Sequence, residues 1–202
     1  MENLWLQSEA DQFVENYQKQ GVSEDVAMRV YSSRLLGRVS ELVLYGGGNV
    51  SVKTVESNLL GNSEEVLRVN GSGWDMDTIE PDGLPAVKLR PLRESVQLES
   101  LSDLDMVNLH RTSLMNSDAP SPSVETLLHA FLPHKFVDHT HSNAILALTD
   151  QPNGVELCKS VFGKRVALVP YVMPGFQLAK GALEIFKRNT DCEALILLKH
   201  GN

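Results

Sequence analysis

Apolar positions recur at helical spacing near the start of the chain, where Phe13, Val14 and Tyr17 share one face of a helix expected over residues 7–20. Gly21 ends it. Ser23 is placed to cap a second helix running to about Leu36, with Val26, Val30, Leu35 and Leu36 as its apolar face. The period then changes. Residues 42–45 lead into the triple glycine Gly46, Gly47 and Gly48, and residues 50–54 alternate as a strand does. Further strands are expected at 65–69, 83–89, 136–141, 166–169 and 194–198, the last two as buried runs. Helices are expected at 102–115, 143–148, 155–162 and 177–187. Helices and strands are mixed without strict βαβ alternation, and short turns join several strands. That pattern predicts a layered α/β sandwich with a mostly antiparallel sheet.

The stretch from Pro122 to His141 carries the candidate chemistry. Ser121 or Ser123 can cap a helix there, and Pro122 suits its first turn, where a missing N–H costs nothing. Val124, Leu127, Leu128, Phe131 and Leu132 form its apolar face, and Pro133 stops it. Glu125 falls in the first turn, where the helix dipole favours a negative charge. In the strand that follows, side chains alternate between faces, so His139 and His141 project from the same one. Two neutral imidazoles so placed can ligate one ion such as zinc. Further ligands must come from elsewhere, and Glu125 and His200 are the candidates. An isolated H-x-H also fits two hydrogen-bonded core imidazoles, so spacing alone leaves metal binding open. His110 reads as facing solvent or packing at a helix end, and His129 and His134 as structural.

Composition narrows the class. The chain has 202 residues, 42% of them hydrophobic, enough for a substantial core. Its net charge of −8, without a Lys/Arg cluster, argues against a nucleic-acid surface. A small anionic substrate remains compatible, because backbone N–H groups and a bound cation hold phosphate whatever the global charge. Cys158 and Cys192 lie far apart in no CxxC pattern and read as reduced thiols of a cytoplasmic protein. The start, MENLWLQSEADQF, is acidic and lacks the basic and apolar regions of a signal peptide. No apolar run is long enough to suggest a membrane span.

Two small-residue turns are candidate anion sites. Gly46-Gly47-Gly48-Asn49 precedes one strand, and Asn70-Gly71-Ser72-Gly73 follows another. Glycine admits positive φ and close approach of backbone N–H groups to a ligand. Each also fits an ordinary structural turn, and neither matches GxGxxG or a P-loop.

Taken in order, GGGNVSVK, NGSGWD, PSVE, HTH and LLKHG resemble the class II aldolase/adducin head domain family. More narrowly, LYGGGNVSVK, NGSGWDM, VPYVMPGF and LLKHGN resemble the aldolase part of bifunctional rhamnulose-1-phosphate aldolase/alcohol dehydrogenase proteins. The motifs span residues 41–202. The resemblance implies a three-layer α/β/α sandwich around a mostly antiparallel central sheet, a homotetramer with interfacial sites, and a phosphorylated sugar as substrate. It implies that Glu125, His139, His141 and His200 serve a metal, usually zinc, with Glu125 also catalytic. It implies substrate or phosphate contacts at Asn49, Ser72, Gly73 and Ser123.

The expected activity is cleavage of a ketose 1-phosphate, such as rhamnulose 1-phosphate, through an enediolate. The alternatives are an epimerase, dehydratase or decarboxylase on the same scaffold, or a non-catalytic adducin-like module. The departures from the family pattern are specific. Val124 stands where sugar-phosphate aldolases often carry a second serine, which removes one phosphate donor. The tyrosine that fuculose aldolase brings from a neighbouring subunit has no clear match, since Tyr171 follows a different strand. The chain reads as a single class II aldolase-like domain over 1–202, without the helices that follow His200 in the family. A fused short-chain dehydrogenase domain is expected only in a longer form.

Overall fold

The computed structural model describes residues 3–44 and 47–202. Tyr45 and Gly46, part of the first glycine turn and its lead-in, lie outside the described residues. Two helices open the chain, α1 (Gln7–Gln18) and α2 (Glu24–Gly37). Ser23 caps α2 as expected, its side chain accepting from the Val26 N–H. A sheet follows from β1 (Asn49–Ser57), β2 (Ser63–Val69), β3 (Ala86–Lys88) and, later, β4 (Phe136–His139). Its order is β3-β2-β1-β4, and every pairing is antiparallel. Between β3 and β4 lie α3 (Leu89–Glu94), α4 (Asp103–Thr112) and α5 (Thr126–Phe131). After β4 come α6 (Asn143–Thr149), α7 (Gly154–Phe162), β5 (Val166–Val169), α8 (Phe176–Arg188) and β6 (Ala194–Leu197). β5 and β6 form a separate parallel pair.

Two apolar cores sandwich the antiparallel sheet. On one side Val26 and Val30 of α2 pack with Val50, Met76, Ile79 and Leu84. On the other, Leu67, Val69 and Val87 meet Leu92, Met106, Leu127, Phe176 and Ala179, which come from α3, α4, α5 and α8. Val50 of β1 belongs to one core and Leu67 and Val69 of β2 to the other, so the sheet is covered on both faces, as a three-layer arrangement requires.

Several local expectations are corrected. The helix before Pro133 is only Thr126–Phe131, and Pro122 is not in its first turn. Pro122 instead forms an isolated antiparallel bridge with Gly71. Val124 is 51% exposed and contributes nothing to an apolar face. Glu125 is the residue before the helix rather than inside its first turn. The 83–89 strand shrinks to Ala86–Lys88, because a short 3-10 turn occupies Pro81–Gly83 and α3 starts at Leu89. β5 alternates between half-buried and buried, and the first residue of β6 is exposed, so neither is a fully buried run. His110 does not face solvent. It is buried in the last turn of α4, the helix-end packing that was the other expectation.

A candidate metal centre between β4 and the turn after β6

His139 is the last residue of β4, and His141 lies two residues on, past the end of the strand. The chain stays extended long enough to keep both rings on one side, with centroids 4.9 Å apart. The tight turn after β6 brings His200 to the same place. The His200 N–H bonds the Leu197 carbonyl, and the preceding Lys199 takes a left-handed φ of 60° to make this possible. His200 lies 4.9 Å from His139 and 5.1 Å from His141, ring centre to ring centre. One nitrogen from each ring falls within 4.8 Å of the others.

Glu125 faces this trio. Its Oε2 is 3.3 Å from His139 Nε2, and its Oε1 is 3.4 Å from His200 Nε2. The carboxylate and His139 are both buried, while His141 and His200 are half-buried, so the cluster opens on their side. Asn49, at the start of β1, donates from Nδ2 to Glu125 Oε2 at 2.7 Å. The Asn202 carbonyl sits 3.0 Å from His139 Nδ1. A proton held there leaves Nε2 as the free lone pair, the tautomer a metal ligand needs.

The residues fit a divalent ion. His139 Nε2 and His141 Nε2 face each other at 3.0 Å. Glu125 Oε1 and His200 Nδ1 are buried without a hydrogen-bond partner. Burial pushes the His139 pKa down to about 4, with His141 and His200 adding to the effect and Glu125 opposing it. Burial also lowers that of His141. Neutral imidazoles converging on one carboxylate are a donor set that suits zinc, and three imidazoles leave room for substrate oxygens.

The small-residue turns converge on the same end of the sheet. Asn70 Oδ1 accepts from the Val50 N–H, and the Ser123 N–H donates to the Asn70 carbonyl. The Ser72 N–H donates to the Ser121 carbonyl at 2.7 Å, so 70–72 and 121–123 form a short ribbon. Ser72 and Gly73 are exposed, and Gly73 has a positive φ of 85°. Ser123 Oγ accepts from the Glu125 N–H at 3.2 Å and so helps to set the carboxylate. Sequence reading missed that contact, the Asn49–Glu125 bond, and a buried pair behind the site, His129 Nδ1 with Ser51 Oγ at 2.8 Å. Alternation gave no signal for Ser51, because Val50 and Val52 mark the other face of β1 as the apolar one.

A model of the class II aldolase and adducin N-terminal domain matches residues 29–202. The chain belongs to that family. A curated relative from Bacillus subtilis (strain 168), "Uncharacterized oxidoreductase YuxG", is 37% identical over 172 residues, 85% of this chain. The chain spans about a quarter of that relative's length. The N-terminal class II aldolase domain of a conserved protein from Thermoplasma acidophilum superposes with a TM-score of 0.82 at 41% identity, covering 88% of this chain and 81% of that one. An L-fuculose 1-phosphate aldolase superposes with a TM-score of 0.56 over 89% of this chain and 74% of that one. Its 16% identity speaks for the fold alone. Among the described residues, no helix is long and apolar enough to cross a membrane.

Proposed function

We propose that this chain is a zinc-dependent class II aldolase domain that cleaves a ketose 1-phosphate, with rhamnulose 1-phosphate as the candidate, to dihydroxyacetone phosphate and an aldehyde. The observation that carries the reading is one buried carboxylate, Glu125, set against three convergent imidazoles beside donor-rich turns. His139, His141 and His200 would hold the ion, with Glu125 beside them as a fourth candidate ligand. A bound divalent ion would polarise the substrate's carbonyl and hydroxyl oxygens and stabilise the enediolate charge, worth several kcal/mol of barrier.

The chain's own groups do the rest. Glu125 moves a proton to or from the enediolate carbon. Asn49 holds Glu125 Oε2, and the Ser123 hydroxyl holds the backbone before it, so the carboxylate is oriented before substrate arrives. The exposed Ser72 hydroxyl and the Gly73 N–H are the proposed phosphate donors, with Asn49 and Ser123 at the edge of the same site. The proposed assembly is a homotetramer. A fused dehydrogenase in a longer form is supported by the oxidoreductase name of a relative four times the length of the matched region.

A second reading has its own support. Val124 offers no donor and is exposed, so the turn lacks the hydroxyl that a second serine would supply. A thinner phosphate grip suits an epimerase, dehydratase or decarboxylase acting on a sugar acid. Product analysis on a panel of ketose 1-phosphates and sugar acids, with Glu125→Gln beside wild type, separates the two. Dihydroxyacetone phosphate released by wild type and not by the variant supports the aldolase. Turnover of sugar acids alone overturns it.

A further inference from the structure

The turn after β2 uses most of its own N–H groups to hold itself in the fold. The Gly71 N–H donates to the Gly83 carbonyl at 2.8 Å, the Ser72 N–H to the Ser121 carbonyl, and the Trp74 N–H to the Gly71 carbonyl at 3.2 Å. The Gly73 N–H has no backbone partner among the described residues. Asn70 and Gly71 are buried, whereas Ser72 and Gly73 are exposed. An anion taken by this turn therefore meets the Ser72 hydroxyl and the Gly73 N–H. Where those two donors lie depends on what holds Gly71 behind them.

Gly71 is held by an aromatic ring. A Cβ on Gly71 would lie 3.1 Å from Trp74 Cδ1 and 2.8 Å from Pro120 Cβ. One on Gly83 would lie 2.7 Å from Trp74 Cε3 and 2.8 Å from its Cδ2. All four distances are closer than ordinary carbon contact. The indole thus fills the side-chain space that two glycines leave open, and those glycines are hydrogen-bonded to each other.

The ring itself stands on a fixed support. Trp74 packs on the α2-side core beside Met76, Ile79 and Leu84. The segment that follows is tied down to both opening helices. Arg34 Nε of α2 donates to the Ile79 carbonyl at 2.9 Å, and the Tyr17 hydroxyl of α1 donates to Glu80 Oε2 at 2.5 Å. A close-packed ring on such a base resists displacement, and its removal leaves a space into which neighbouring backbone relaxes. Gly71 has no side chain of its own to oppose that relaxation.

We propose that Trp74 is a positioning residue for the anion turn. Its indole, packed against Gly71 and Gly83, holds the Ser72 hydroxyl and the Gly73 N–H in place for a phosphate oxygen without itself touching the ligand. Donors fixed beforehand need no ordering when the anion arrives. The inference rests on the reading of this turn as the phosphate site, and it adds the residue that shapes it.

The test follows the Gly73 amide resonance of isotope-labelled protein by NMR while inorganic phosphate is added. That signal is local to the turn, so phosphate bound elsewhere does not stand in for it. Wild type is compared with Trp74→Ala, Trp74→Phe and Val30→Ala. Phe keeps a flat ring against the two glycines. Val30 belongs to the same core but sits on α2, so its truncation loosens that core from the helix side. Far-UV circular dichroism confirms folding, and Trp74→Leu, which keeps apolar bulk without a ring, replaces the alanine variant if that one does not fold. The dissociation constant should rise at least about tenfold in Trp74→Ala and stay within about threefold of wild type in Trp74→Phe and Val30→Ala. Unchanged affinity in Trp74→Ala overturns the role of the indole and leaves the phosphate reading standing. Equal weakening in Val30→Ala also overturns it, as general loosening of the core. A Gly73 signal that does not respond to phosphate in wild type overturns the phosphate reading of the turn and this inference together.

Discussion

Asn49 Nδ2 lies 2.7 Å from Glu125 Oε2, and both side chains are buried. The contact joins the first strand to the residue before α5, 76 positions along the chain. A buried carboxylate held this way has one oxygen fixed and the other, Oε1, left toward His200. Asn49 is thus a positioning group for the proposed base, in addition to any contact with substrate.

Asn49→Ala removes that hold while leaving the three imidazoles in place. Losing a hydrogen bond to a charged group costs about 1.5–3 kcal/mol. Turnover of the substrate cleaved by wild type should fall roughly 10- to 100-fold. Bound zinc, measured by elemental analysis, should stay near the wild-type level. Loss of zinc with turnover per bound zinc unchanged would make Asn49 a support of the metal site rather than of the carboxylate.

Gly48 and Gly201 let the backbone close around the site. A Cβ on Gly48 would lie 2.4 Å from the His139 carbonyl oxygen, in a residue whose φ is +81°. One on Gly201 would lie 2.4 Å from the Thr140 carbonyl oxygen and 3.0 Å from both the His139 and His141 rings. Gly48→Ala and Gly201→Ala should each destabilise by about 2–4 kcal/mol, through overpacking and, at Gly48, left-handed strain. Urea denaturation measures the loss. Gly61→Ala, also at positive φ but with nothing within 4 Å, should cost only about 1 kcal/mol.

His110 gives a pH dependence away from the candidate centre. It is buried at the end of α4 with Nε2 unpartnered, and burial pushes its pKa from 6.5 down to about 4. The unfolded chain binds the proton in this range and the folded chain does not. The stabilisation is therefore complete above about pH 6.5 and is lost as pH falls towards 4, by at most about 3 kcal/mol. The other buried histidines contribute in the same direction, so the comparison is with His110→Leu. Urea midpoints measured from pH 7 to pH 4 should fall less steeply in the variant. Parallel pH profiles would contradict the assignment.

Much of the site could be read from residue spacing. Alternation put His139 and His141 on one face, and the apolar run before His200 delivered that residue as a candidate. The structure brings all three together with Glu125. Local patterning failed where long-range pairing prevailed. Pro122 and Ser123 look like a helix start, but the bridge to Gly71 and the Ser123–Asn70 bond hold them as a ribbon edge, which delays α5 to Thr126. No period in the sequence encodes a partner fifty residues away. The same is true of Asn49, whose neighbours marked it as a turn residue while its amide serves a carboxylate across the sheet. β5 and β6 were legible as strands, but their parallel pairing was not, because register between distant segments has no local signature.

The central claim is that Glu125 and the three histidines hold a metal. Elemental analysis of purified wild type and His139→Ala tests it most directly. The account predicts about one divalent ion per chain, zinc foremost, in wild type and at least a tenfold lower content in the variant under the same dialysis. Equal and negligible metal in both proteins would contradict it.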